Sequence, residues 1–329
     1  MRALIIEDAE TRQFRLEEIP RPIPLENQVL VRIKASGVNP IDIKVRTGKA
    51  PHANLQYPAV LGTDLAGVVE AVGTKVASFK KGDEVYGLTG GVGGLQGSLA
   101  EFAAVDAALL ALKPRNLSMR EAAAVPLVFL TAWEGIVDRA RVSKDQKVLV
   151  IGGAGGVGHM AVQIALAQGA NVFATASSAK HPLIERYGAV PLDRNTPLEK
   201  ITAAYTQNKG FDVIYDTVGG TLLDEAFANI RPYGHVVSCL GWGIHDLKLL
   251  SLRSGTYSGV FVLLPLLTGI GLAHHSASLS QATQLIEAGK LHPLLDPRHF
   301  TLATAQAAHE AVEKSTAIGK MIIAIEEPD

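Results

Sequence analysis

The stretch that most limits what this chain can become is KVLVIGGAGGVGHMAVQIALAQG, residues 147–169. Val148, Leu149, Val150 and Ile151 form an apolar, β-branched run too short for a helix, which predicts a buried parallel strand. A glycine-rich turn follows at once. The good helix formers of residues 160–167 come next, with Gly169 as a C-cap. Gly153, Gly155 and Gly158 then fall at the G-x-G-x-x-G spacing of a dinucleotide fingerprint. The first glycine is assigned to a turn that other residues would strain, the second to the approach of main-chain amides to a pyrophosphate, and the third to close helix–strand packing. Gly153, Ala154, Gly155, Gly156, Val157 and Gly158 are thus the expected cradle, at the positive mouth of a helix. The rival reading is a glycine-rich loop that binds nothing.

Before this unit, residues 1–120 read as short strands punctuated by glycine and proline, predicting an antiparallel, partly closed β domain. Strands are expected at 2–6, 28–36, 67–72, 84–87, 98–104 and 109–113, and the glycine-rich residues 90–97 read as a mobile loop. Ser118 and Glu121 stand at capping-box spacing and open an alanine-rich run, which places the domain junction there. After the fingerprint, strand signals at 171–175, 189–192, 211–216 and 235–239 alternate with helix signals at 183–187, 198–207 and 222–230. This is the grammar of a doubly wound parallel sheet. From about residue 258 the alternation lapses into an apolar segment, helices at 278–288 and 303–314, and a last strand at 321–325. The expected division is residues 1–120 with 258–329, and residues 121–257.

A chain of 329 residues with 47% hydrophobic content can fill two cores. Its 31 basic and 32 acidic side chains leave a net charge of −1, no footprint for nucleic acid or an anionic membrane. The single cysteine, Cys239, rules out an intramolecular disulfide and any multi-cysteine metal site, which fits a reducing cytoplasm. Residues 259–273 are too short and too interrupted by Pro265, Gly269 and Gly271 to span a bilayer, and read as buried core or a subunit interface.

Several ordered motifs carry a resemblance across nearly the whole chain: GVNPIDIKVRTG (37–48), YPAVLGTDLAGVVEAVG (57–73), FKKGDEVYG (79–87), GSLAEFAAV (97–105), AAAVPLVFLTAWEGI (122–136), GGAGGVG (152–158), FDVIYDTVGG (211–220) and IGKMIIAI (318–325). Together they resemble the zinc-independent quinone oxidoreductase branch of the medium-chain dehydrogenase/reductase superfamily. The resemblance implies an α/β chain: a GroES-like, partly closed β-barrel domain plus a Rossmann domain, with nicotinamide and substrate in the cleft between, and a cytoplasmic homodimer in which residues 260–267 contribute contacts. The superfamily's alcohol dehydrogenases hold zinc with a cysteine in the first motif and a histidine–glutamate pair in the second. Asn39, Thr63 and Asp64 stand there instead, so the chain is expected to work without metal. Hydride transfer without a Lewis acid suits quinones and α,β-unsaturated carbonyl compounds, whose product anion is delocalised. The alternatives are an enoyl-thioester reductase and a non-catalytic NADPH-binding protein.

By the same resemblance Asn39 lines the cleft, Thr131 sits beside the nicotinamide, Tyr57 is a further hydrogen-bond donor, and Cys239, Leu240, Gly241 and Lys320 contact the cofactor. Each has a plainer reading: Asn39 as a cap, Tyr57 as a packed aromatic, Thr131 bonded to its own helix, Cys239 as an inert thiol. Asp42 caps a turn or pairs with Lys44 or Arg46, and His274 and His275 read as exposed or interface side chains. The cofactor is read at ATASSAK, residues 174–180, where an NAD-specific fold would place an acid. Ser177, Ser178 and Lys180 can instead donate to a 2′-phosphate, predicting NADPH. Asp193, where relatives often carry tyrosine, is the one unwelcome acid nearby.

Overall fold

A computed structural model describes residues 1–8 and 10–325. It divides the chain into two compact units, residues 1–127 with 263–329 and residues 128–262.

The first unit is built from β1 (Arg2–Ile6), β2 (Arg15–Glu18), β3 (Gln28–Gly37), β4 (Ala59–Val60), β5 (Asp64–Val72), β6 (Glu84–Leu88), β7 (Phe102–Asp106) and β8 (Leu110–Leu112), with helix α1 (Pro40–Arg46) after β3. The long strands β3 and β5 are mostly buried, with half-buried positions at Arg32, Lys34, Val68 and Glu70 breaking the runs. They pair antiparallel with Gly37 opposite Asp64. β6 then lies beside β5, and β8 beside β6. Helix α2 (Met119–Ala122) opens on the expected capping box: Ser118 N–H donates to Glu121 Oε2 at 2.8 Å, and Glu121 N–H to Ser118 Oγ at 3.2 Å. The helix is far shorter than the alanine-rich run suggests. Pro126 starts a separate helix, α3 (Pro126–Trp133), followed by one π-helical stretch at Glu134–Arg139.

The second unit continues with β9 (Lys147–Ile151), α4 (Gly156–Ala167), β10 (Asn171–Ala176), α5 (His181–Tyr187), β11 (Val190–Asp193), α6 (Leu198–Thr206), β12 (Phe211–Asp216), α7 (Thr221–Asn229), β13 (Ile230–Ser238), α8 (Lys248–Ser251) and β14 (Thr256–Gly259). The sheet order is β11-β10-β9-β12-β13-β14, parallel at every pairing. The buried run Val148–Leu149–Val150–Ile151 lies in β9, and Leu149, Phe173, Ile214 and Val236 join the helices' Leu198, Leu223 and Phe227 in one core cluster. This is the Rossmann-like layer that the sequence pattern predicts. β14 is an addition: Thr256, Tyr257, Ser258 and Gly259 show no apolar periodicity, yet pair with β13 as the edge strand.

The chain returns to the first unit through α9 (Leu264–Thr268), α10 (Leu272–Glu287), β15 (Phe300–Thr301), α11 (Ala305–Glu313) and β16 (Ile322–Ala324). β16 pairs antiparallel with β3, placing Ile322 opposite Gly37. α10 is anchored where the buried Tyr86 hydroxyl of β6 donates to the Leu279 carbonyl at 2.7 Å. Two expectations change here, at residues 90–97 and at His275. Residues 90–97 are tied down by Gly91 N–H to Leu95 O, Gly93 N–H to Ala53 O and Gly97 N–H to Val60 O, at 2.8 to 3.0 Å. Val260, Val262, Leu263 and Leu266 are buried, as the core reading of this segment has it, while Leu264 is exposed. His275 is buried on α10, and its burial and His274 hold its pKa down at about 4. Among the described residues no helix is long and apolar enough to cross a membrane.

Candidate active site

The glycine turn joins β9 to α4, and its glycines divide the work differently from the spacing rule. Gly152 carries the left-handed backbone, with φ +80°. Gly153 is instead required by packing, because a Cβ there would lie 2.5 Å from Ala174 Cβ on β10. Gly158 is required by contact with the turn itself: its Cβ would stand 2.1 Å from the Gly152 carbonyl oxygen. Gly155 differs. It is the N-cap of α4 in extended backbone, and a Cβ would meet only Gly152 O, at 3.2 Å. Apart from that oxygen and the adjoining residues, no other atom of the protein lies within 4 Å of the position, at a helix mouth, which fits a cradle for a diphosphate.

Two neighbouring turns complete this end of the sheet. Asp216 closes β12 and is fully buried, its Oδ1 accepting from Val218 N–H and Gly219 N–H at 2.9 Å each and its Oδ2 from the Ser238 hydroxyl at 2.7 Å. It fixes the turn whose Thr217 Oγ1 would lie 2.7 Å from a Cβ on Gly152. Sequence reading passed over Asp216, although an acid at a strand end before Gly219 and Gly220 is the signal of a capped turn. Cys239 follows Ser238, and its burial, with Asp216 beside it, pushes the thiol up to about 12. A thiol so raised stays protonated at neutral pH. Thr131 lies buried on α3, its carbonyl accepting from the Tyr215 hydroxyl at 2.7 Å.

At the end of β10, Ser177, Ser178 and Lys180 stand in the short turn before α5. Strand register adds a residue that sequence alone did not single out. Ala176 pairs with Asp193, and Arg194 N–H donates to the Ala176 carbonyl at 2.9 Å, so Arg194 joins the same strand ends. Asp193 is occupied by its own loop, accepting from Asn195 N–H at 2.9 Å.

In the first unit, β3, β5, α1 and the approach to β16 bring five polar side chains together. Asn39, Asp42, Thr63, Asp64 and Lys320 are all buried, Asn39 and Asp64 completely. Asn39 Nδ2 donates to Thr63 Oγ1 at 2.9 Å and to Asp64 Oδ2 at 2.8 Å, while its Oδ1 accepts from the Lys320 ammonium. Lys320 Nζ is also 3.0 Å from Asp64 Oδ2, and Asp64 Oδ1 takes Leu127 N–H at 2.9 Å. Asp42 is the capping acid of α1, accepting the Asn39 backbone N–H at 2.7 Å, and Arg46 pairs with Glu313 at 3.0 Å rather than with Asp42. Both side-chain protons of Asn39 and the Lys320 ammonium are thus committed inside this cluster. Tyr57, by contrast, is 36% exposed.

Burial, and secondarily Asp64, raises Asp42 to a pKa of about 7, against the opposing pull of the Asn39 N–H and Lys320. A carboxyl whose pKa is higher folded than unfolded binds its proton more tightly in the native state. The stability it contributes is full below about pH 4 and is lost as pH rises through 7. A rise of about three units corresponds to at most roughly 4 kcal/mol. Asp42→Asn should flatten this dependence, which urea unfolding at pH 4.5 and pH 8 will measure. An unchanged slope would mean that Asp42 ionises freely.

Comparison with known proteins agrees with this architecture. Residues 25–115 match the alcohol dehydrogenase GroES-like domain family, and residues 188–323 the zinc-binding dehydrogenase family. The chain is 36% identical over 306 residues to a 2-methylene-furan-3-one reductase of Solanum lycopersicum, covering 91% of this chain and 72% of that one. It is 35% identical to the chloroplastic NADPH-dependent alkenal/one oxidoreductase of Arabidopsis thaliana, with the same coverages. The solved structure of an alcohol dehydrogenase superfamily protein from Novosphingobium aromaticivorans superposes with TM-score 0.97 at 53% identity, over 99% of this chain and 100% of that one. The fold and these relatives define an oxidoreductase. The chain belongs to the medium-chain dehydrogenase/reductase superfamily, on the quinone oxidoreductase-like side that its motifs resemble.

The zinc implied by the second family's description can be tested against the residues present. Asn39, Thr63 and Asp64 offer neither thiolate nor imidazole, and an ammonium already lies 3.0 Å from the Asp64 carboxylate. Such a set does not fit tetrahedral zinc.

Proposed function

We propose that the chain is an NADPH-dependent reductase of α,β-unsaturated carbonyl compounds and quinones that works without a metal ion, as a cytoplasmic homodimer. The observation that carries the reading is the lysine-filled cluster of Asn39, Asp42, Thr63 and Asp64, which leaves no place for a Lewis acid at the residues where zinc-dependent relatives would hold one. An alcohol's alkoxide needs such an acid. The enolate or hydroquinone anion formed from a conjugated acceptor does not, because conjugation already spreads its charge. The two plant relatives named for enone and alkenal reduction support the same class.

NADPH, when bound, supplies the hydride. The remaining tasks fall to the chain. Main-chain amides at the mouth of α4 hold the diphosphate over Gly155, and Ser177, Ser178, Lys180 and Arg194 hold the 2′-phosphate. Thr131, steadied through Tyr215, and the turn of Cys239, Leu240 and Gly241 border the nicotinamide. Tyr57 donates a hydrogen bond to the acceptor oxygen. Asn39 and Lys320 act from inside their cluster rather than on the substrate or cofactor.

The test is NADPH oxidation against a panel of enones, alkenals, quinones, simple ketones and enoyl thioesters, run in EDTA. Turnover of enones or quinones that survives chelation, with simple ketones inert, is the expected outcome. Activity confined to simple carbonyls, or lost on chelation, would sink the proposal.

A further inference from the structure

The polar cluster of the first unit has the composition of a cation site. Asp64 Oδ2 and Asn39 Oδ1 face the Lys320 ammonium, Asn39 Nδ2 links Asp64 Oδ2 to Thr63 Oγ1, and Asp42 Oδ2 lies 3.4 Å from Thr63 Oγ1. Two carboxylates, an amide carbonyl and a hydroxyl are the ligand chemistry of hard divalent cations. Every member is at least nine-tenths buried, so water cannot compensate the charges. The cluster holds a cation, but a covalent one. Lys320 enters from the strand end before β16, whose pairing of Ile322 with Gly37 brings it across from Asp64, the other partner of Gly37. We infer that Lys320 is a built-in cation: its ammonium fills an oxygen-lined site that, once the ammonium is removed, takes a hard divalent ion such as Mn2+.

Two consequences follow from the geometry. The ammonium excludes a free metal ion by occupying the site, independently of which ligands surround it. It also sets the Asn39 amide, because Oδ1 must face the ammonium and Nδ2 must then face Thr63 and Asp64. Lys320 is therefore a positioning residue for Asn39. The inference rests on the metal-free reading of this cluster and on no particular acceptor, so acceptor choice is tested by the NADPH oxidation panel and cation occupancy by the experiment below.

The experiment is a Mn2+ titration of the full chain followed by electron paramagnetic resonance of the free ion, in parallel with thermal unfolding. Wild type should leave the Mn2+ signal and its melting temperature unchanged. Lys320→Ala should bind one Mn2+ per chain at least about tenfold more tightly than wild type, and its melting temperature should climb with Mn2+ concentration. Adding Asp64→Asn to Lys320→Ala should abolish both effects. If Lys320→Ala is recovered only in unfolded form, refolding with Mn2+ should restore a cooperative melt. Failure of that rescue, a folded Lys320→Ala indifferent to Mn2+, or wild type binding Mn2+ through Asp64 would each overturn the inference.

Discussion

Gly155→Val abolishes NADPH binding, raising the dissociation constant by about a hundredfold or more, while the chain folds as wild type does. The N-cap backbone at Gly155 is extended, which valine adopts without strain, and the only close neighbour of its Cβ is the Gly152 carbonyl at 3.2 Å. The added methyls would fall where the proposed reading puts the diphosphate, and a hundredfold loss is about 2.7 kcal/mol of binding. Gly158→Val provides the contrast. Its Cβ would sit 2.1 Å from Gly152 O and 2.8 Å from Gly153 Cα, both main-chain atoms that cannot rotate away, so the variant should lose the cooperative melt itself. Fluorescence titration with NADPH and thermal unfolding of both variants separate the two roles. Wild-type affinity in Gly155→Val would place the cofactor elsewhere.

The second large effect is on cofactor choice. Replacing Lys180 and Arg194 together by alanine should weaken NADPH about tenfold to a hundredfold and NADH by less than about twofold. In the proposed reading each side chain would supply a charge-assisted hydrogen bond to the 2′-phosphate, worth roughly 1.5 to 3 kcal/mol, and the 2′-hydroxyl of NADH offers no charge to lose. The strand register argues for including Arg194, since its backbone is tied to the last residue of β10 at 2.9 Å. Equal losses for the two nucleotides would mean that the 2′-phosphate is read by other residues.

How much of this was legible beforehand depends on how far apart in the chain the cooperating residues lie. The β9–α4 unit could be read because its strand, turn and helix occupy one continuous stretch, and the strand at Phe211–Asp216 because five of its six residues are buried. β14 could not, since Tyr257, Ser258 and the exposed Thr256 carry no pattern of their own and are held as strand only by β13. Asn39 reads as a cap and is the N-cap of α1, but the helix itself, seven residues opening on Pro40, is too short to show a helical period. The donor set at Asn39, Thr63 and Asp64 was visible as a departure from a zinc site. What fills it was not, because Lys320 lies 281 residues from Asn39 and a lone lysine in a terminal strand motif carries no sign of its partner. Arg194 was missed for the same reason: its place at the end of β10 is set by strand pairing, not by spacing.

The most direct test of the account is to reduce an enone with NADPH deuterated at the transferable position of its nicotinamide ring, using chain freed of metal by chelation. Deuterium recovered at the β-carbon of a saturated ketone is the result predicted here. Deuterium at the carbonyl carbon of an unsaturated alcohol, or transfer that appears only after zinc is added back, would contradict it.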